Sequence, residues 1–159
     1  MKNIHAFALL NMFTISLLFG QEPPKLPRLE DYAVTTVYKG EPGKLDFKML
    51  ENMPELRNKL AKGLQKGSNF AGEYTLVTWS CGTECSQHAV VHTPSGRLLG
   101  GFSSCGKILY SIDSSLIIIN PTHENGVKVQ LPKTCKQFNQ ILIVKNGKLT
   151  EFKKLDLNQ

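Results

Sequence analysis

Asn69-Phe70-Ala71-Gly72-Glu73-Tyr74-Thr75-Leu76-Val77-Thr78-Trp79-Ser80-Cys81-Gly82-Thr83-Glu84-Cys85-Ser86-Gln87-His88-Ala89-Val90-Val91 is the stretch whose reading decides the fold. Tyr74, Leu76 and Thr78 alternate with Thr75, Val77 and Trp79. That is the pattern of a strand with two distinct faces, built from residue types that suit a pleated surface. A short loop containing Gly82 follows, and residues 87–93 are β-patterned again. The stretch therefore reads as two antiparallel strands with a cysteine on each side of their connection. If Cys81 ends one strand and Cys85 starts the next, their Cα atoms face each other at ~4.5–5.5 Å, a separation a disulfide accepts.

The chain has four cysteines, Cys81, Cys85, Cys105 and Cys135. An even number in an exported chain points to disulfides, and four cysteines allow three pairings. Hairpin geometry favours Cys81 with Cys85, which leaves Cys105 with Cys135. The second closure spans about thirty residues and is worth ~3–4 kcal/mol in the loop-entropy account, against less for the short one. Pairing of 81 with 105 and 85 with 135 stays open. Zinc is the rival reading, because Cys81-x-x-x-Cys85 has an acceptable ligand spacing and His88 and His92 follow closely. On a strand those two histidines stand ~13 Å apart, too far to share an ion, and an oxidising compartment disfavours thiolate ligands. No metal and no cofactor is expected.

Export is read from the N-terminus. Lys2 precedes an almost unbroken apolar run from Ala6 to Phe19, then the small Gly20, then polar Gln21-Glu22-Pro23-Pro24. This is the plan of a secretory signal peptide, with 1–20 removed. The run is shorter than the ~20 residues of a membrane-spanning helix, so no span is expected after cleavage. The remaining 139 residues carry a net charge of +5, since 1–20 contains Lys2 and no acid. That length suits one domain. The basic residues are dispersed, and Lys153-Lys154 is the longest basic run, so nucleic acid is not an expected partner. The expected location is periplasmic or secreted.

Residues 21–31 form a Pro-rich extended leader and 32–159 a single β-rich domain. Residues 32–38 read as a first strand, broken by Gly40 and Pro42. Residues 52–66 are the one good helix: Pro54 suits its first turn, and Leu56, Leu60 and Leu64 form an apolar stripe. Gly67 is its stop, and Gly63 weakens its last turn by ~1 kcal/mol relative to Ala. Beyond the cysteine hairpin, strands are expected at 97–102, 107–112, 116–120 and 126–131 (the last a short edge strand). A final pair, 137–145 and 148–154, is joined by Asn146-Gly147, a strong hairpin signal. The continuous Leu116-Ile117-Ile118-Ile119 suggests burial on both faces. The fold class is mainly β: an antiparallel meander, barrel-like or sandwich-like, with one N-terminal amphipathic helix.

Several chemistries have candidate residues. Cys81 with His88 or His92 as base would make a thiol nucleophile, but paired cysteines remove it. Glu73 and Glu84 form a conceivable acid–base pair whose separation the sequence leaves open. Ser103-Ser104 lacks the Gly-x-Ser-x-Gly elbow of a catalytic serine, and no phosphate-cradling Gly loop is present. Trp79 is the sole tryptophan. It is expected to pack in the core against the neighbouring disulfide, with ligand stacking as the other reading. No catalytic residue is assigned. The expected contact surface is Thr83, Glu84 and Trp79.

The run Asn69-Phe70-Ala71-Gly72-x-Tyr74, then Trp79-x-Cys81-Gly82-Thr83-x-Cys85, then Ala89-Val90-Val91, resembles a family of small exported bacterial proteins with no assigned function. The likeness extends to the preceding Leu-bearing helix, to the strands around Asp113-Ser114-Ser115-Leu116 and loosely to the Asn146-Gly147 hairpin, about two-thirds of the mature chain. Family members often carry Asp and a Thr-Gly turn after the second strand, where this chain has His92 and Pro94-Ser95-Gly96. The resemblance implies export and a β-rich domain and transfers no catalytic residue. Three functions remain: a non-catalytic binding module of the envelope or medium, an inhibitor or immunity-type protein that caps another protein, and an envelope hydrolase or thiol enzyme.

Overall fold

The computed structural model describes residues 27–46, 48–124, 127–135 and 138–156. The segment 1–20, expected to be a signal peptide, and most of the expected Pro-rich leader lie outside these residues. Two antiparallel sheets make the body of the fold. The first contains β1 (Tyr74–Gly82), β2 (Cys85–His92) and β3 (Arg97–Ser104), in that order. The second has the order β4-β5-β8-β9, from β4 (Ile108–Leu109), β5 (Leu116–Ile119), β8 (Phe138–Lys145) and β9 (Lys148–Asp156). A separate two-stranded ribbon pairs β6 (His123–Glu124) with β7 (Val127–Lys128). The described residues are thus mainly antiparallel β with one α-helix, α1 (Pro54–Leu64). Among the described residues the sheets do not close into a barrel; they face each other like a sandwich.

Strand alternation explains the layering. Tyr74 and Leu76 of β1 and Val90 of β2 point to one side, where they meet Ile117 and Ile119 of β5 and Leu142 and Val144 of β8 in a single buried cluster. Val77, Ala89 and Val91 point to the other side and pack against Leu60 and Leu64 of α1. Sheet one is therefore buried on both faces along Tyr74–Val77, because the helix covers what the second sheet does not. The far face of sheet two is covered by a 3₁₀ turn, Leu29–Tyr32, whose carbonyls at Leu29 and Tyr32 accept from the hydroxyls of Ser114 and Ser115. Leu116 and Ile141 are fully buried on that side, so β5 and β8 are apolar on both faces.

The helix starts at Pro54, whose missing N–H has no helical partner to lose there. It ends where Gly67, at φ +82°, takes the left-handed conformation and donates to Leu64 O. Gly63 has a use beyond its low propensity: a Cβ there would come within 2.5 Å of Val77 Cγ2. The helix lies so close to β1 that only hydrogen fits. Behind it, the hydroxyls of Ser68, Thr93 and Thr75 run in series. Thr75 donates to Gly67 O (2.9 Å), so it accepts from Thr93 (2.9 Å), which accepts from Ser68 (3.1 Å). Thr75 and Thr93 are fully buried, and the series satisfies each at little desolvation cost.

Some expectations are corrected. Residues 32–38 are not a strand. Tyr32 ends the 3₁₀ turn, Ala33 makes a single bridge to Ser114, and Val34 and Tyr38 donate to Asp113 and Gly72. The segment is a strap across loops, which offer it no continuous edge to pair with. Only Ile108–Leu109 of the expected 107–112 strand pairs, since Ala71 and Gly72 take the carbonyls of Ser111 and Ile112. The strand expected at 126–131 is reduced to Val127–Lys128, pairing locally with β6 rather than with either main sheet.

Candidate functional site

The β1–β2 hairpin is paired from Tyr74↔His92 through Ser80↔Ser86 and closes at Gly82↔Cys85. Cys81 is the extra residue between the last two pairs. It does not stand opposite Cys85 as the simple hairpin predicts: a bulge at Ser80/Gly82 displaces it. The two Cα atoms are still 5.1 Å apart, and the disulfide joins them. Thr83 and Glu84 make the turn, with Glu84 at φ +56°. Residues 80–84 are all exposed. The hairpin end thus projects from the sandwich as a stapled loop.

Trp79 lies just below this tip. It shares the helix-facing side of β1 with Val77 and packs, half-buried, at the rim of the helix-side core near Leu56. With Met53, Pro54, Leu56 and Lys59 it borders a shallow groove of about 470 Å³. The ring serves the helix–sheet contact rather than the interior expected from its place beside Cys81. Met53, 53% exposed, is an apolar residue of this surface that sequence reasoning missed. Met53 directly precedes the helix-starting Pro54, at the N-cap of α1.

The second disulfide, Cys105–Cys135, has Cα atoms 5.8 Å apart. Cys105 follows β3, and Cys135 ends the 3₁₀ turn Lys133–Cys135 that precedes β8. This bridge ties sheet one to sheet two at one end of the sandwich, with Cys135 buried. All four cysteines are paired, so no resting thiol nucleophile exists.

His88 is buried at the level of Thr78, facing the inter-sheet core and stacked on Phe102 at 4.6 Å. Its Nδ1 lies 2.9 Å from Thr78 Oγ1, and its Nε2 lies 2.8 Å from Ser104 Oγ. The Ser104 hydroxyl donates to Gly106 O at 3.1 Å, so it must accept from Nε2–H. Nδ1 then accepts from Thr78. Burial lowers the imidazole pKa, which suits this neutral tautomer. The Thr78–His88–Ser104 series resembles a catalytic relay in composition. Ser104 is itself buried, however, and its proton is committed to a carbonyl. The series is a satisfied core network.

The remaining candidates are scattered. Glu73 and Glu84 sit at opposite ends of β1, about 30 Å of strand apart, far beyond any glycosidase pair. Glu73 instead lies 3.5 Å from His92 Nε2, whose Nδ1 bonds Ser95 Oγ at 2.7 Å. Among the described residues no three His, Cys, Asp or Glu side chains cluster to hold a metal, and no helix is long and apolar enough to cross a membrane. A concavity of about 710 Å³ lies between the Leu29–Tyr32 turn and β4. Ile108, Ile118 and Ile141 line it, and its cations Arg28 and Lys107 pair with Asp31 and Glu124.

The chain matches no protein-family model, no curated protein and no solved structure. Its own geometry therefore carries the functional reading. Two disulfides in a small β domain belong to folding in an oxidising, extracytoplasmic environment. Among the candidate residues, Thr83, Glu84 and Trp79 are brought near one another at the surface, on the stapled tip and the groove below it.

Proposed function

We propose that this is an exported, non-catalytic binding domain of the bacterial envelope or medium, which engages a protein or ligand through the Cys81–Cys85 end of sheet one. The observation that carries the reading is the run of five exposed residues, 80–84, held by a disulfide at the end of a strand pair whose opposite half, Tyr74–Val77 with His88–Val91, is core. A loop restrained before binding loses less entropy on binding. Thr83 and Glu84 supply polar contacts at the turn, and Trp79 with Met53 supplies apolar surface on the flank. The signal-peptide pattern and the likeness to small exported bacterial proteins of unassigned function support the same compartment.

The test compares the mature protein with Thr83→Ala plus Glu84→Ala, both first shown to melt cooperatively, as bait for a native envelope extract. The reading expects a stoichiometric partner with the parent protein and its loss with the double variant. Equal recovery with both would make the tip purely structural. N-terminal sequencing of protein from the native host is expected to begin at Gln21, and an intact Met1 on a cytoplasmic species would remove the export argument.

A further inference from the structure

We propose that Cys81–Cys85 is a thiol-exchange site, at which a small monothiol attacks Cys81 and is held as a mixed disulfide while Cys105–Cys135 stays closed. The proposal is independent of the binding function above. It rests on a contrast between the two bridges in one molecule.

The first half of the contrast is access. Cys81 is exposed within an exposed run, and Cys85 is half-buried. Exchange requires a thiolate to approach a sulfur in line with the S–S bond, so access sets the rate and the exposed partner is the one attacked. Cys135 is only 3% exposed. Cys105 is half-buried, follows the buried Ser104, and has Asn120 Nδ2 3.5 Å from its sulfur. The Cys105–Cys135 bridge thus has no exposed sulfur-bearing residue, whereas Cys81 is exposed, and a thiolate reaches the tip bridge more readily.

The second half is what each bridge supports. On the helix side of the β1–β2 hairpin the last buried pair is Val77↔Ala89, and on the inter-sheet side the last buried residue is His88, opposite Thr78. Beyond them the hairpin contains no buried residue. The pairs from Tyr74↔His92 to Thr78↔His88 stay in place when the tip disulfide opens, so the folded protein is the reacting species. Opening Cys105–Cys135 instead frees the segment that leads into β8, a central strand of sheet two.

In the exchange the thiolate R–S⁻ forms a bond to Cys81 Sγ. The Cys81–Cys85 bond breaks, and its electron pair leaves on Cys85 Sγ, which takes a proton from water. No external oxidant or reductant is consumed at this step. A second thiolate attacking the adduct would complete a two-electron reduction of the bridge, with R–S–S–R as the oxidised product. The retained hairpin holds Cys85 beside Cys81, so the Cys85 thiolate expels the guest when excess thiol is withdrawn. The site is therefore reversible.

The experiment uses the full mature protein and free cysteine as the monothiol at neutral pH. Samples are quenched at intervals with iodoacetamide, and tryptic peptides are mapped by mass. The expected product carries one cysteinyl group on Cys81 and one alkyl group on Cys85. It should form at least about tenfold faster than any modification of Cys105 or Cys135, with the far-ultraviolet spectrum unchanged. Opening of both bridges at one rate, earlier opening of Cys105–Cys135, or the adduct on Cys85 would each overturn the proposal. Cys81→Ser plus Cys85→Ser is expected to fold and to take up no cysteinyl group over the same interval. Uptake equal to that of the parent would place the exchange elsewhere and refute the assignment.

Discussion

The carboxamide of Asn69 binds both backbone polar groups of Leu76: Oδ1 accepts from the Leu76 N–H at 2.7 Å and Nδ2 donates to the Leu76 carbonyl at 3.0 Å. One side chain thus takes the place of a neighbouring strand on the free edge of β1, which is an edge strand of its sheet. Next to it, Tyr74 exchanges both backbone bonds with Phe70. The Asn69-Phe70 pair therefore closes the edge where β1 is most buried, and it accounts for the polar residue that opens the motif. Asn69→Ala is expected to leave a part-buried N–H and C=O unpaired and to cost ~1–3 kcal/mol. Urea unfolding of parent and variant measures it, and a loss below ~0.5 kcal/mol would show that water replaces the carboxamide without penalty.

Gly63→Ala tests the approach of α1 to β1. Helix propensity alone would make the change stabilising by ~1 kcal/mol. The new methyl would instead meet Val77 Cγ2 and Cγ1 at 2.5 and 2.7 Å, and a β-branched side chain has few rotamers to escape into. Net destabilisation of ~1–3 kcal/mol is expected. In the background of Val77→Ala the same substitution should become neutral or stabilising, so a double-mutant cycle read by thermal melting isolates the clash.

The pH dependence of stability carries the signature of His88. Its folded-state pKa is lowered by burial, so as pH falls below ~6.5 the unfolded chain binds a proton that the folded chain refuses. Stability is full above that pH and declines below it, by at most ~1.4 kcal/mol per pH unit from this group. Denaturant titrations at pH 7.0, 6.0 and 5.5 should show the decline in the parent and a flatter profile in His88→Gln. Parallel profiles would mean that another group dominates the window.

Gly147→Ala addresses the junction of the two hairpin turns. Asn146 and Gly147 have φ +52° and +68°, the left-handed pair of a two-residue hairpin. Arg97 Nη2, from the start of β3, donates to the Gly147 carbonyl at 3.0 Å. An alanine there costs ~1–2 kcal/mol for its φ, and its Cβ would lie 3.1 Å from the Arg97 guanidinium. Amide exchange should quicken at Lys145↔Lys148 and Val144↔Leu149, the two pairs nearest the turn. Unchanged exchange would show that the β8–β9 register does not depend on the turn.

Local chemistry wrote much of this protein into its sequence. Strand alternation from Tyr74, the Pro54 start and Gly67 stop of the helix, the Asn146-Gly147 turn and the all-apolar Leu116–Ile119 each depend on residues within one or two turns of chain, and each is found in the structure. Tertiary context decided the rest. The 32–38 segment has strand-forming residues but meets loops instead of a free edge. Gly63 reads as a weak helix residue until Val77 is seen against it. The burial of His88 between Thr78 and Ser104 and the surface that joins Met53 to Trp79 depend on which strands and helix stack together. These contacts join residues about ten to twenty-six positions apart, or more, on different elements. No local pattern records them, because the energy that selects them is gained only when the sheets and helix pack.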